Sequence, residues 1–114
     1  MLDFQKLDVY QLSRSANKEV LRILRNNNSI YPRLRDQLSR AALSVMLNIA
    51  EGAGRFTKAD KQHYYIQARA SAFETVACLE ACLDLNEIGK MDFECLMKIF
   101  ENISKMLFGL INKL

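Results

Sequence analysis

Apolar and polar positions recur with a period near 3.6 through four stretches of the chain, and each stretch predicts an amphipathic helix. The first runs from Asp8, a candidate N-cap, to Arg25, with Val9, Leu12, Ala16, Val20, Ile23 and Leu24 on one face. Asn26-Asn27-Asn28-Ser29 then interrupts the pattern, because short polar side chains compete with the backbone for its hydrogen bonds. Pro32 is placed to open a second helix that reaches Glu51, with Gly52 and Gly54 expected to end it in a left-handed C-terminal cap. Thr57 and Asp60 have the spacing of a capping box and predict a third helix from Lys58 to Asn86, striped by Tyr65, Ala68, Ala72, Val76, Leu79 and Leu83. Gly89 is the next stop signal and Asp92 the next N-cap. The fourth helix runs from there to the end of the sequence along Phe93, Leu96, Phe100, Ile103, Leu107, Leu110 and Leu114.

The second stretch is apolar on more of its circumference than a one-sided helix needs. Leu34, Leu38, Ala41, Val45 and Ile49 form one stripe, while Ala42, Leu43, Met46, Leu47 and Ala50 carry apolar surface round to the far side. The third helix has a second, broken set in Ala70, Phe73, Ala77 and Ala81, and its length leaves room for a part that projects or meets another subunit. Short connections between four such helices predict an all-α, up-down-up-down antiparallel four-helix bundle in a single domain, residues 1–114. The surplus apolar surface predicts self-association.

Composition sharpens this. Four glycines and one proline leave few breaks, half the residues are hydrophobic, and no apolar run approaches the ~18 residues that span a bilayer. With no secretory pattern in MLDFQKLDVY, a cytoplasmic protein is expected. Cys78, Cys82 and Cys95 are an odd set without a CxxC pair, so reduced thiols are expected rather than disulfides or a metal site. His63 has no partner visible in sequence, and Gly52-Ala53-Gly54 ends a helix where nucleotide-binding loops begin one. No catalytic, cofactor or metal residue is therefore nominated, and a non-enzymatic protein is expected.

Charge is uneven: residues 1–69 hold 12 Lys/Arg against 6 Asp/Glu, and residues 70–114 hold 4 against 7. On the first helix Arg14, Lys18, Arg22 and Arg25 recur at intervals of four, four and three, which lines four cations along about three turns. Such a line is either a solvated face or a rail for phosphates. Arg33, Arg35, Arg55, Lys58 and Lys61 add to the basic half, and Arg14, Lys18, Arg22, Arg25, Arg55, Lys58 and Lys61 are the candidate nucleic-acid-binding residues. Without the paired aromatics of an RNA-binding module, contact would be led by the nucleic-acid backbone and poorly sequence-specific. The other expectation is a purely structural or protein-interaction module whose charge asymmetry serves its own subunit contacts.

The second helix also carries a narrow polar line, Gln37, Arg40, Ser44, Asn48 and Glu51, and the third a matching row, Gln67, Ser71 and Glu74. Buried polar groups need partners, so Arg40, Ser44, Asn48, Glu51, Ser71 and Glu74 are expected to form an inter-helix network that fixes register. A binding line facing a pocket or lumen is the alternative.

Leu7-Asp8-Val9-Tyr10, then Gln37-Leu38-Ser39-Arg40-Ala41-Ala42 through Ser44-Val45 to Asn48-Ile49-Ala50-Glu51-Gly52-Ala53-Gly54-Arg55, and Ala70-Ser71 followed by Glu74, resemble the four-helix-bundle proteins of 23S rRNA intervening sequences. The same family includes the accessory variability determinant of diversity-generating retroelements. The resemblance implies a barrel-like homopentamer and, for the retroelement branch, a basic surface that engages RNA and a reverse transcriptase. The sequence departs from the family pattern at Ile30-Tyr31-Pro32-Arg33-Leu34 and at Met46-Leu47.

Overall fold

Each periodic stretch becomes a helix, and a side-chain N-cap sets one of the four starts, that of the third. In the computed structural model, which describes residues 1–114, a 3-10 turn at Asp3–Lys6 precedes α1 (Asp8–Arg25), α2 (Pro32–Ala53), α3 (Lys58–Asp84) and α4 (Lys90–Asn112). At the start of α3 the Thr57 Oγ1 accepts a hydrogen bond from the Asp60 backbone N–H at 3.1 Å, as its spacing predicts. Pro32 sits in the first turn of α2, where its missing N–H has no consequence. Asp8 lies one position inside α1 rather than at the cap, which Leu7 occupies without a side-chain bond. Likewise Gly89 holds the cap position of α4, with Asp92 inside the first turn beside the partly positive N-terminal end.

The glycines at the end of α2 act differently from expectation. Gly52 is helical and buried, and a Cβ built on it would lie 2.8 Å from Tyr65 Cε1, 2.9 Å from Tyr65 Cδ1 and 3.1 Å from Tyr64 Cβ. Its role is to let α3 approach α2, not to reverse the chain. Gly54 ends the helix at φ −85° and ψ −6°, a right-handed conformation open to any residue. The left-handed conformation appears instead at Asn86, φ 57°, so α3 stops two residues before the expected end. Asparagine tolerates that region better than most residues.

Packing follows chain order: α1 against α2, α2 against α3, α3 against α4, and α4 back against α1, while diagonal pairs do not approach. This is the expected four-helix bundle. One end is clasped where Asn27 Nδ2 donates to the Glu87 carbonyl and the Tyr31 N–H donates to the Glu87 carboxylate, joining the α1–α2 and α3–α4 connections. The α2–α3 connection therefore lies at the opposite end. With 27 residues α3 is about 40 Å long, close to the 43 Å long axis of the molecule, so it runs the length of the bundle without projecting.

The core takes Val20, Leu38, Val45, Ile49, Leu79, Leu96, Phe100, Ile103 and Leu107 out of water, all members of the predicted stripes. The secondary stripes divide: Ala42 joins the core, whereas Leu43 and Leu47 on α2 and Phe73 on α3 are exposed, as are Ile66 on α3 and Phe108 on α4.

Candidate nucleic-acid interface

The buried face of α1 is Val9, Ser13, Ala16, Val20, Ile23 and Leu24, which turns Arg14, Lys18, Arg22 and Arg25 to solvent. The last lies eleven positions beyond the first, a run of about 16 Å. The four are not equivalent. Arg22 Nε contacts Glu19 Oε2 at 2.9 Å and its Nη2 lies 3.6 Å from Asp92 Oδ1 on α4. The Glu19 hydrogen bond and charge, then Asp92, raise the Arg22 pKa further and hold the guanidinium in place. Arg14, Lys18 and Arg25 form no ion pair within the chain. All four border a shallow cleft of about 500 Å³ that also includes Asn17, whose Oδ1 is buried without a hydrogen-bond partner.

Arg55, Lys58 and Lys61 are gathered at the α2–α3 connection, the end of the bundle away from Arg25, so the seven nominated cations form two groups rather than one patch. Arg55 Nη2 donates to Tyr64 Oη at 2.7 Å and lies 3.4 Å from Glu51 Oε1, with its guanidinium 4.7 Å from the centre of the Tyr64 ring. Lys61 Nζ donates to the Ala53 carbonyl at 3.0 Å, satisfying an orphan acceptor at the end of α2. Lys58 is exposed and unpaired, as is Arg33. Arg35 is structural: Nη1 donates to the Leu24 carbonyl at 2.7 Å and Nη2 to the Asn27 carbonyl.

The expected polar network is narrower than proposed from spacing. Ser44 Oγ and Ser71 Oγ meet at 2.8 Å across α2 and α3, and Asn48 Nδ2 donates to the Ser44 hydroxyl and carbonyl, each at 2.9 Å. Arg40 does not join; it is exposed and pairs with Asp36 at 3.1 Å, one turn back on its own helix. Glu51 turns to Arg55, and Glu74 is exposed. A residue that spacing did not single out, Thr75, is fully buried and donates to the Ser71 carbonyl at 2.8 Å. Nor did spacing nominate Arg69, whose guanidinium lies 4.7 Å and 5.5 Å from the Phe73 and Phe108 ring centres. It stands beside a groove of about 430 Å³ between α3 and α4 that includes Val76, Met97 and Phe100.

Cys78 and Cys82 are buried and Cys95 is exposed, all as free thiols. Burial, then Glu87 and Cys78, pushes the Cys82 thiol up to about 11; burial and Glu74 raise Cys78, and burial raises Tyr65. His63 is exposed, its ring 5.0 Å from that of Tyr64. No three His, Cys, Asp or Glu side chains converge in a metal-binding group, and no helix is long and apolar enough to cross a membrane.

These observations define an all-helical four-helix-bundle protein with a cationic helix face. The chain belongs to the 23S rRNA-intervening sequence protein family, whose profile matches residues 5–109. A crystal structure of a protein of unknown function from the S23 ribosomal protein family of Bacteroides thetaiotaomicron has the same fold. It aligns with a TM-score of 0.84 at 23% identity, over 90% of this chain and 97% of the other. No curated protein matches the sequence.

Proposed function

We propose that the protein is a non-enzymatic, self-associating accessory protein whose cationic α1 face contacts RNA along its sugar–phosphate backbone. The observation that carries this reading is that Arg14, Lys18 and Arg25 face solvent along one helix with no carboxylate paired to any of them. Three like charges on one exposed line repel one another, and a polyanion relieves that repulsion while releasing its own counterions. The family name ties its members to intervening sequences of 23S rRNA, which favours RNA over DNA. Assembly as a homopentamer, which the sequence resemblance implies, would present the α1 line five times and raise a weak contact by avidity. A reverse transcriptase as partner belongs to the retroelement branch of that resemblance. The test is retardation of a structured RNA between ~50 and ~200 mM salt. Substituting Arg14, Lys18 and Arg25 by Ala should reduce the log–log salt slope by about 2 to 3. Absence of binding at the low-salt end would end the proposal.

A second reading, a structural or protein-interaction module with no nucleic-acid role, is favoured by the exposed Leu43, Leu47, Phe73 and Phe108. Large apolar side chains outside the core mark contact surfaces when they are contiguous. Under that reading light scattering gives an oligomer and structured RNA is not bound.

A further inference from the structure

Phe56 is 100% exposed, more than any other large hydrophobic residue of the protein. Its position is not a consequence of a slack loop. The preceding Arg55 is held by its backbone N–H on the Gly52 carbonyl at 3.2 Å and by its side chain on Tyr64 and Glu51. The following Thr57 is fixed as the N-cap of α3. Between two anchored neighbours the phenyl ring is carried outward, clear of the core and of every other ring in the chain.

Three cations, Arg55, Lys58 and Lys61, stand within five residues of Phe56 against two carboxylates, Glu51 and Asp60. Glu51 is already turned to Arg55, whereas Lys58 is exposed and unpaired. A wholly apolar partner closing on this ring would have to strip water from Lys58 with nothing to compensate its charge. An unpaired nucleotide brings a flat π-face for the phenyl ring and a phosphate for the ammonium in one ligand. We propose that Phe56 is a stacking platform for an unpaired RNA base, with Lys58 on the adjoining phosphate. The inference rests on the RNA-binding reading above and adds the kind of RNA: a stem whose paired backbone lies along α1 and whose unpaired nucleotides reach the α2–α3 connection. Arg14 is the α1 cation nearest that end of the bundle.

The chain contains no tryptophan, so Phe56→Trp places a single indole at the site and makes stacking directly visible. The probes are a short RNA hairpin with an unpaired loop and the uninterrupted duplex of its stem. With the Trp variant, the hairpin should quench the indole emission and the duplex should not. Phe56→Ala should weaken hairpin binding by about 5- to 150-fold, the range of one base–aromatic stack, while duplex affinity and the salt slope stay unchanged. Trp should retain the hairpin affinity and Phe56→Leu should not. Salt-dependent binding of both RNAs with no quench and no loss in the Ala variant overturns the stacking role and leaves the α1 contact standing. No binding of either RNA overturns both. An indole that is already blue-shifted in the free protein, or a change of oligomeric state in the Ala variant, assigns Phe56 to a subunit contact and overturns the proposal as well.

Discussion

Ser44 Oγ and Ser71 Oγ, 2.8 Å apart, form the one side-chain-to-side-chain hydrogen bond that joins α2 to α3. Both residues are tied to further groups: the Ser44 hydroxyl accepts from Asn48 Nδ2, and the Ser71 backbone carbonyl accepts from the buried Thr75 hydroxyl. A one-turn slip of either helix would separate the pair, which is how so small a contact can define register. Replacing either serine by Ala should cost about 1 kcal/mol, because the surviving hydroxyl loses its partner in a half-buried place. The double variant should cost less than the two singles together, since neither group is then left wanting. Urea midpoints at an unchanged denaturant slope measure this. Strict additivity would mean that the two hydroxyls do not interact in solution.

Gly52 and Gly109 are both helical, and substitution by Ala should move stability in opposite directions. At Gly109 a Cβ meets nothing within 4 Å, so the variant should gain up to about 1 kcal/mol from helix propensity and reduced freedom of the unfolded chain. At Gly52 the same gain is outweighed, because the new Cβ lies 2.8 Å from the ring of Tyr65, which is itself buried and cannot swing away. A net loss of about 1–3 kcal/mol is expected, the range for overpacking a tight core. Thermal unfolding of the two variants side by side decides it, and a stabilised Gly52→Ala would show that α3 can retreat without penalty.

What the sequence disclosed and what it withheld divide along physical lines. The stripes of α1, α2 and α4 and the Thr57 cap were legible because periodicity and capping are local properties, written within a few residues. Gly52 was misread because a glycine near a helix end fits both a cap and a close approach, and the choice depends on Tyr65, thirteen positions away. Arg40 looked like a network member by its spacing, yet Asp36 on its own helix offers a partner without desolvation. Thr75 was hidden by its side chain: a buried threonine that bonds back to the carbonyl four residues earlier leaves no polar row to notice. The candidate cations were visible as a set, but their sorting into paired, structural and free members depends on contacts between helices.

Arg35 is a case where that sorting makes a prediction. Its two bonds to the Leu24 and Asn27 carbonyls close the C-terminal end of α1, where backbone acceptors lack helical partners. Arg35→Ala should therefore lower stability by about 1–3 kcal/mol and leave RNA affinity within twofold when measured well below the melting transition. Arg25→Ala should do the reverse, with little effect on melting and a reduced salt slope. If Arg35→Ala lowered the salt slope as much as Arg25→Ala, Arg35 would belong to the contact surface.

The three cysteines should separate by reactivity and by pH. Cys95 is exposed, so a thiol reagent at neutral pH should modify one site per native chain, and Cys95→Ser should abolish that rapid reaction. Cys78 and Cys82 should react only when the bundle opens, at a rate that rises with denaturant. Because burial raises the Cys82 pKa from 9.0 to about 11, the folded state keeps a proton that the unfolded chain has lost across that interval. The contribution is present below pH 9 and is lost as pH rises through 11, so unfolding free energy should fall with increasing pH over this window. Cys78, raised by burial and by Glu74, adds to the fall in the same direction, as does Tyr65 above pH 10. Cys82→Ala creates a small void and lowers stability below pH 9, but its free energy should decline less steeply between pH 9 and 11 than that of the native chain. Equal slopes would show that the Cys82 thiol reaches water in the folded bundle, and early labelling of a second thiol would make the same point independently.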